Sequence, residues 1–186
     1  MDIIVKYIDE LLEKSTPEAP MWNIEKIRQG LKSNWNYIDG VMIKAVLQMY
    51  DVTKDEKYLK FADNFIDYRV HEDGTIDGYN IGEKNIDNVN AGKTLFELYD
   101  LTGKEKYRKA IDLVYSQIEI MPRCNNEARS FWHKEIYPNQ VWLDGMYMGQ
   151  PFYLEYETKF NNRKNYPDIF AQFKYVIENM KNPLNG

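Results

Sequence analysis

AVLQMYDVTKDEKYLKFADNFIDY, residues 45–68, aligns without a gap to TLFELYDLTGKEKYRKAIDLVYSQ, residues 94–117. Each stretch reads as a helix, a tight turn and a second helix. The turn Thr53-Lys54-Asp55 matches Thr102-Gly103-Lys104, Tyr107 repeats Tyr58, and Asp112 repeats Asp63. Between them the match loosens: Ala110 stands opposite Phe61 and Ile111 opposite Ala62. Met42, Ile43, Val46, Leu47 and Tyr50 give the first helix its apolar stripe at helical spacing. Tyr58, Phe61, Ala62, Phe65 and Ile66 do the same for the second, and Leu95, Phe96 and Leu98 begin the second copy. A looser third copy carries Met148, Phe152, Leu154 and Tyr156, a longer turn through Asn161-Asn162, and a last helix near 167–180. Pro151 falls inside that pattern and predicts a kink or a late helix start. Upstream, Ile3, Ile4, Tyr7, Ile8, Leu11 and Leu12 predict an amphipathic helix over 2–14, with a short helix near 24–31. No strand-like alternation is sustained, so the expected fold is all-α, an array of helix hairpins with a period of about fifty residues.

Each copy opens on a branched aliphatic residue followed by an aspartate: Ile38-Asp39, Ile86-Asp87 and Leu143-Asp144. The aspartates stand 48 and 57 residues apart. Antiparallel hairpins must bury their apolar faces on neighbouring hairpins, in an open solenoid or a closed (α/α) toroid. In a toroid, the helices starting at Asp39, Asp87 and Asp144 form the inner ring, and three carboxylates meet at one mouth. The long loops 71–86 and 122–143 lead into that mouth, where a repeat protein usually places its site. Residues 1–186 are expected to be a single domain, about half of a six-pair toroid. A homodimer or a missing C-terminal half would complete the ring; otherwise the array is an open arc.

Composition removes several function classes. A net charge of −5 and no polybasic cluster give no field for nucleic acid. One cysteine, Cys124, allows no internal disulfide, and with only two histidines the chain offers no zinc ligand set. No signal peptide and no membrane-length apolar run is present, so a soluble cytoplasmic protein is expected. The outlier is the aromatic content of 15%, with 15 tyrosines and 4 tryptophans. Such residues fill cores, and their rings also stack on sugars.

The densest chemistry lies in Phe131-Trp132-His133-Lys134 and Tyr137-Pro138-Asn139-Gln140-Val141-Trp142-Leu143-Asp144-Gly145. Asp144 and Asp87 each have a sufficient structural reading as helix N-caps, and Asp39 reads as a cap alone. Against that, Trp142 and Tyr147 are expected to surround the Asp144 carboxyl with apolar surface, which would raise its pKa and suit a general acid. Asn85-Ile86-Asp87-Asn88 is more polar than a cap requires. His133 reads equally well as a sugar-binding group or a structural loop residue, and His71 as a surface turn residue. Gly78–Gly82 is no phosphate loop, and Cys124 has no partner for nucleophilic chemistry.

IYPNQVWLDGMYMGQPFYLEYETKFN (136–161), with WNYIDG (35–40) and NIDNVNAGK (85–93), resembles the unsaturated rhamnogalacturonyl hydrolases of glycoside hydrolase family 105 and the related unsaturated glucuronyl hydrolases of family 88. The resemblance covers residues 1–180 and the N-terminal half of a six-pair (α/α) toroid. It implies hydration of the C4=C5 double bond in unsaturated galacturonyl-rhamnose oligosaccharides from pectin, with no metal or organic cofactor. It makes Asp144 the acid and base and Asp87 an assisting acid, and it puts Tyr37, His133, Trp142 and Met148 at the substrate. Two other readings stay open. One is a non-catalytic helical-repeat binding module; the other is a different toroid enzyme, such as an epimerase or an inverting glycosidase using Asp87 and Asp144.

Overall fold

The computed structural model describes residues 2–184. In order, the helices are α1 (Asp2–Glu13), α2 (Ile24–Arg28), α3 (Tyr37–Thr53), α4 (Glu56–Asp67), α5 (Lys93–Thr102), α6 (Glu105–Ile120), α7 (Leu143–Phe160) and α8 (Tyr166–Met180). Short 3-10 turns cover Met21–Asn23, Ile81–Glu83 and Ile86–Gly92. Among the described residues β pairing occurs only as isolated bridges, so the all-α expectation holds. The chain divides into two compact units, residues 1–79 with 91–110, and residues 80–90 with 111–186.

In the first unit, Ile43, Val46 and Leu47 of α3, Phe65 and Ile66 of α4, and Leu95, Phe96 and Leu98 of α5 are almost wholly buried. Full burial of such side chains contributes about 1.5–3 kcal/mol each, before entropy is subtracted. The repeat is copied down to single hydrogen bonds. Thr53 Oγ1 donates to the Met49 carbonyl at 2.6 Å, and Thr102 Oγ1 to that of Leu98 at 2.6 Å. Tyr50 donates to Glu56 and Tyr99 to Glu105, at 3.3 and 3.2 Å. The Lys-Tyr pair opening each second helix docks on an aspartate of an earlier helix. Tyr58 donates to Asp9 of α1 at 2.9 Å and Tyr107 to Asp63 of α4 at 2.6 Å. Lys57 sits 2.8 Å from Asp9, and Lys106 2.9 Å from Asp67.

Both turns end the first helix in a left-handed residue, Gly103 at φ 68° and Lys54 at φ 57°. Glycine adopts that conformation without a Cβ clash; lysine does not. Lys54→Gly is expected to stabilise the protein by about 0.5–1 kcal/mol, less whatever its ammonium gains over the Tyr50 ring. A lowered thermal midpoint would show that this side-chain contact outweighs the backbone strain.

Two helix starts differ from expectation. Asp39 is not the cap of α3: Asn36 is, and its side-chain oxygen accepts the Asp39 N–H at 3.0 Å. The Asp39 carboxylate is buried and accepts from Trp22 Nε1 at 2.8 Å, Asn36 Nδ2 at 2.9 Å and Ser33 Oγ at 3.2 Å. Burial pushes this carboxyl up, opposed by those donors and by the charge of Arg69. Nor does an α-helix begin at Asp87, which lies in a 3-10 turn; α5 starts at Lys93.

In the second unit α7 and α8 pack antiparallel around Phe152, Tyr153, Ile169 and Val176, with Val114 and Ile118 of α6 also buried. Helix α7 continues through Pro151 instead of starting after it, at the loss of one intrahelical bond. The turn into α8 carries two left-handed residues, Asn162 and Arg163. It is held by Glu157, which is fully buried and accepts from Tyr115 Oη at 2.8 Å, Asn161 Nδ2 at 2.9 Å and the Asn165 backbone N–H at 2.8 Å.

Candidate active site

The site of the second unit is assembled by the loop after α6. Its backbone is tied down on both sides of His133: the His133 N–H donates to the Gln140 carbonyl at 2.8 Å, and the His133 carbonyl accepts the Ile86 N–H at 3.0 Å. The resulting bridge, Asn85 to Lys134, lays the 85–87 segment beside residues 133–134. Asn85 is anchored in turn, since its carbonyl accepts from the fully buried Gln117 Nε2 of α6 at 2.8 Å.

This places two cationic or hydrogen-bonding groups on one buried carboxylate. Lys134 Nζ lies 2.8 Å from Asp87 Oδ2, and His133 Nε2 lies 3.3 Å from Asp87 Oδ1. Burial alone would push the Asp87 carboxyl up, but His133 and Lys134 outweigh it and hold it below the usual carboxylate range. Trp142 lies flat on the His133 ring, centroids 4.2 Å apart and planes within 8°, and Tyr137 stacks on Trp142 at 5.2 Å. Trp142 Nε1 donates to Gln140 Oε1 at 3.0 Å, which fixes the indole on the loop. One residue into α7 stands Asp144, with Oδ1 accepting the Gly145 N–H at 3.0 Å. An oxygen of Asp87, an oxygen of Asp144 and a ring nitrogen of His133 lie within 4.8 Å of one another.

One histidine and two carboxylates at that separation are also of the kind that holds a divalent cation. Here the Lys134 ammonium already neutralises Asp87 through Oδ2, while Asp87 Oδ1 and His133 Nδ1 have no hydrogen-bond partner in the protein.

The family model for Glycosyl Hydrolase Family 88 matches residues 7–186. The chain belongs to glycosyl hydrolase family 88. A family 105 glycoside hydrolase from C. acetobutylicum is similar in structure, with a TM-score of 0.78 and 43% sequence identity over 87% of this chain. The chain spans 45% of that protein's length, and so carries part of the (α/α) fold expected from its sequence.

Within this family-88 chain, Asp87, His133, Trp142, Asp144 and Met148 all belong to the second unit, and the first four surround one spot. Met148 is buried one helical turn beyond Asp144. Tyr37 belongs to the first unit, at the start of α3, with 42% of its surface exposed. The apolar enclosure expected around Asp144 is not observed: Asp144 is exposed, because the Trp142 ring spends its face on His133 and Tyr137. Neither Asp144 nor Asp87 is an N-cap. Gln117 is a structural partner that sequence reasoning missed; Lys134 and Asn85 lie in the stretches singled out, but no spacing along the chain signals their pairing with Asp87 and Gln117. His71 is the exposed turn residue expected, 2.8 Å from Asp77.

Two glycines of α7 permit this close assembly. A Cβ on Gly145 would stand 2.9 Å from His133 Nδ1, and one on Gly149 would stand 2.6 and 2.7 Å from the Ile86 side chain. Gly→Ala inside a helix is normally worth about 1 kcal/mol in its favour. At Gly149 the overlap reverses the sign, and Gly149→Ala is expected to cost about 1–3 kcal/mol by overpacking. Ile86→Ala removes both offending atoms, so the double variant should lose less stability than the two single losses added. Strict additivity in urea melts would show that the 86–87 segment does not rest on α7.

Proposed function

We propose that this chain carries the acid–base machinery of a cytoplasmic unsaturated rhamnogalacturonyl hydrolase, acting on oligosaccharides from pectin that end in a C4=C5 unsaturated galacturonyl unit linked to rhamnose. The observation that carries the reading is the pair Asp87 and Asp144. One is buried and held anionic by Lys134 and His133, the other is exposed and open to a substrate, and their oxygens lie within 4.8 Å. An inverting glycosidase needs roughly 6.5–9.5 Å between its carboxyls to admit a water, which speaks against that alternative.

In the proposed reaction Asp144 protonates C4 of the enol ether, and positive charge develops at C5 and the ring oxygen. Water adds at C5 and returns its proton to Asp144. The resulting hemiketal opens to a ketone, and the exposed hemiacetal at C1 releases rhamnose. One group thus serves both proton transfers. Asp87, within 4.8 Å of Asp144, is the group assigned to the positive charge at C5, and the exposed part of Trp142, 39% of its surface, is the aromatic surface for the sugar.

The test follows the ultraviolet absorbance of the conjugated double bond. Unsaturated galacturonyl-rhamnose is expected to lose it, and faster than an unsaturated glucuronyl disaccharide of glycosaminoglycan origin. A faster loss from the glucuronyl substrate would overturn the substrate assignment while keeping the chemistry.

A non-catalytic interaction module is the competing reading. It is favoured by the apolar side chains that α8 leaves exposed, Phe170 at 62% and Ile177 at 63%. It predicts a folded, self-associating chain that leaves both disaccharides intact.

A further inference from the structure

Beside the first turns of α7 lies a cavity of about 10 Å³, lined by Trp132, His133, Gly145, Gln150 and Gln172 among others. That is about the room one water needs. Three buried polar atoms of the lining have no hydrogen-bond partner in the protein: Trp132 Nε1, His133 Nδ1 and Gln150 Oε1. His133 and Gln150 are each 2% exposed.

The directions of the amides can be deduced. Asp168, paired with Arg123 at 2.8 Å, only accepts, so Gln172 must turn Nε2 to it, at 3.0 Å. Gln172 Oε1 then accepts the Phe131 N–H and Gln150 Nε2, both at 3.0 Å. This leaves Gln150 Oε1 as an acceptor in need of a donor, while Trp132 Nε1 can only donate. The two cannot both be satisfied by His133 Nδ1, a single atom that either donates or accepts.

We propose that one buried water occupies this cavity, accepting from Trp132 Nε1–H and donating to Gln150 Oε1 and His133 Nδ1. Its three bonds match the usual number for a buried water. With Nδ1 accepting, the ring proton resides on Nε2, the nitrogen facing Asp87. Gln150 and Trp132 are therefore positioning residues: through the water they hold His133 in the tautomer that donates toward the carboxylate pair. The link to catalysis rests on the hydrolase reading above; the water and the tautomer do not.

The experiment is nitrogen-15 NMR of the histidine rings in the full chain, which has only two histidines. His71 is remote in character, exposed and paired with Asp77, and serves as the internal control. In the unaltered protein His133 is expected as the Nε2–H tautomer. Trp132→Phe, which keeps an aromatic ring at the position but removes the indole N–H, and Gln150→Leu are each expected to shift His133 to a mixture of tautomers, leaving His71 unmoved. The same variants should lower kcat with KM held. A predominantly Nδ1–H His133 in the unaltered protein would overturn the proposal. So would folded variants whose His133 spectrum is unchanged, or a crystal structure with this cavity dry. Absence of turnover in the unaltered protein would instead count against the hydrolase reading, with the tautomer result standing by itself.

Discussion

Asp144→Asn is expected to slow loss of the double bond from unsaturated galacturonyl-rhamnose by on the order of 10²–10⁴-fold, the usual contribution of a positioned acid or base. The substitution is nearly isosteric. Its side-chain oxygen can still accept the Gly145 N–H, as Asp144 Oδ1 does at 3.0 Å, and the position is exposed, so folding should be unaffected. What is lost is the proton given to C4 and the base that takes one from water. The expected signature is therefore a fall in kcat with KM little changed, read by ultraviolet absorbance, in a protein whose thermal midpoint is unaltered. Near-normal turnover would remove Asp144 from the mechanism. Asp87→Asn would be less clean, because it leaves the Lys134 ammonium without its counter-charge and so disturbs structure together with rate.

Glu157→Ala is expected to give the largest loss of stability, about 3–5 kcal/mol. Breaking a buried charged network commonly costs this much, because the partners are left unpaired. Here those partners are the Tyr115 hydroxyl of α6 and, in the α7–α8 turn, the Asn161 amide and the Asn165 backbone N–H. Burial by itself would raise the Glu157 carboxyl, but these donors outweigh it and hold it below its ordinary value. A depressed native pKa means that the stabilisation is present in full above the unfolded glutamate value of about 4.3 and drains away as the pH falls through the lower native value. The protein should thus lose stability on acidification below about pH 4, and Glu157→Ala should flatten that part of the profile. Urea melts from pH 7 to pH 3 measure both effects. A variant with an unchanged acid limb would show that other carboxylates carry it.

Much of this was legible in the chain itself. The two aligned stretches, their turns and their apolar stripes are local features, set by spacings of three and four residues, and α1, α3, α4, α6 and α8 fall where those stripes put them. The left-handed residue ending each first helix was signalled by Gly103 and concealed at Lys54, which takes the same conformation without the glycine. The candidate site was legible as residue types: Asp87, His133, Trp142 and Asp144 stood out through an uncommon density of polar and aromatic groups.

Their roles were less legible. Aspartate before a helix suggests a cap, yet Asn36 caps α3, and Asp39 turns inward to Trp22 and Ser33. Trp142 two residues before Asp144 suggests a shield for that carboxyl, yet its ring covers His133. Glu157 and Gln117 look in sequence like ordinary polar helix residues, and both are fully buried.

The sequence by itself determined the hairpin repeat, the all-α class and the family, because helix periodicity, turn chemistry and a linear motif are properties of neighbouring residues. Only the tertiary structure decided which groups face one another. Asp87 meets Lys134 and His133 because a backbone bridge joins segments nearly fifty residues apart, and the bridge can approach α7 because Gly145 and Gly149 have no Cβ. Such contacts depend on packing between distant segments, where a difference of a few tenths of an ångström decides whether two groups touch, and no local spacing encodes that distance.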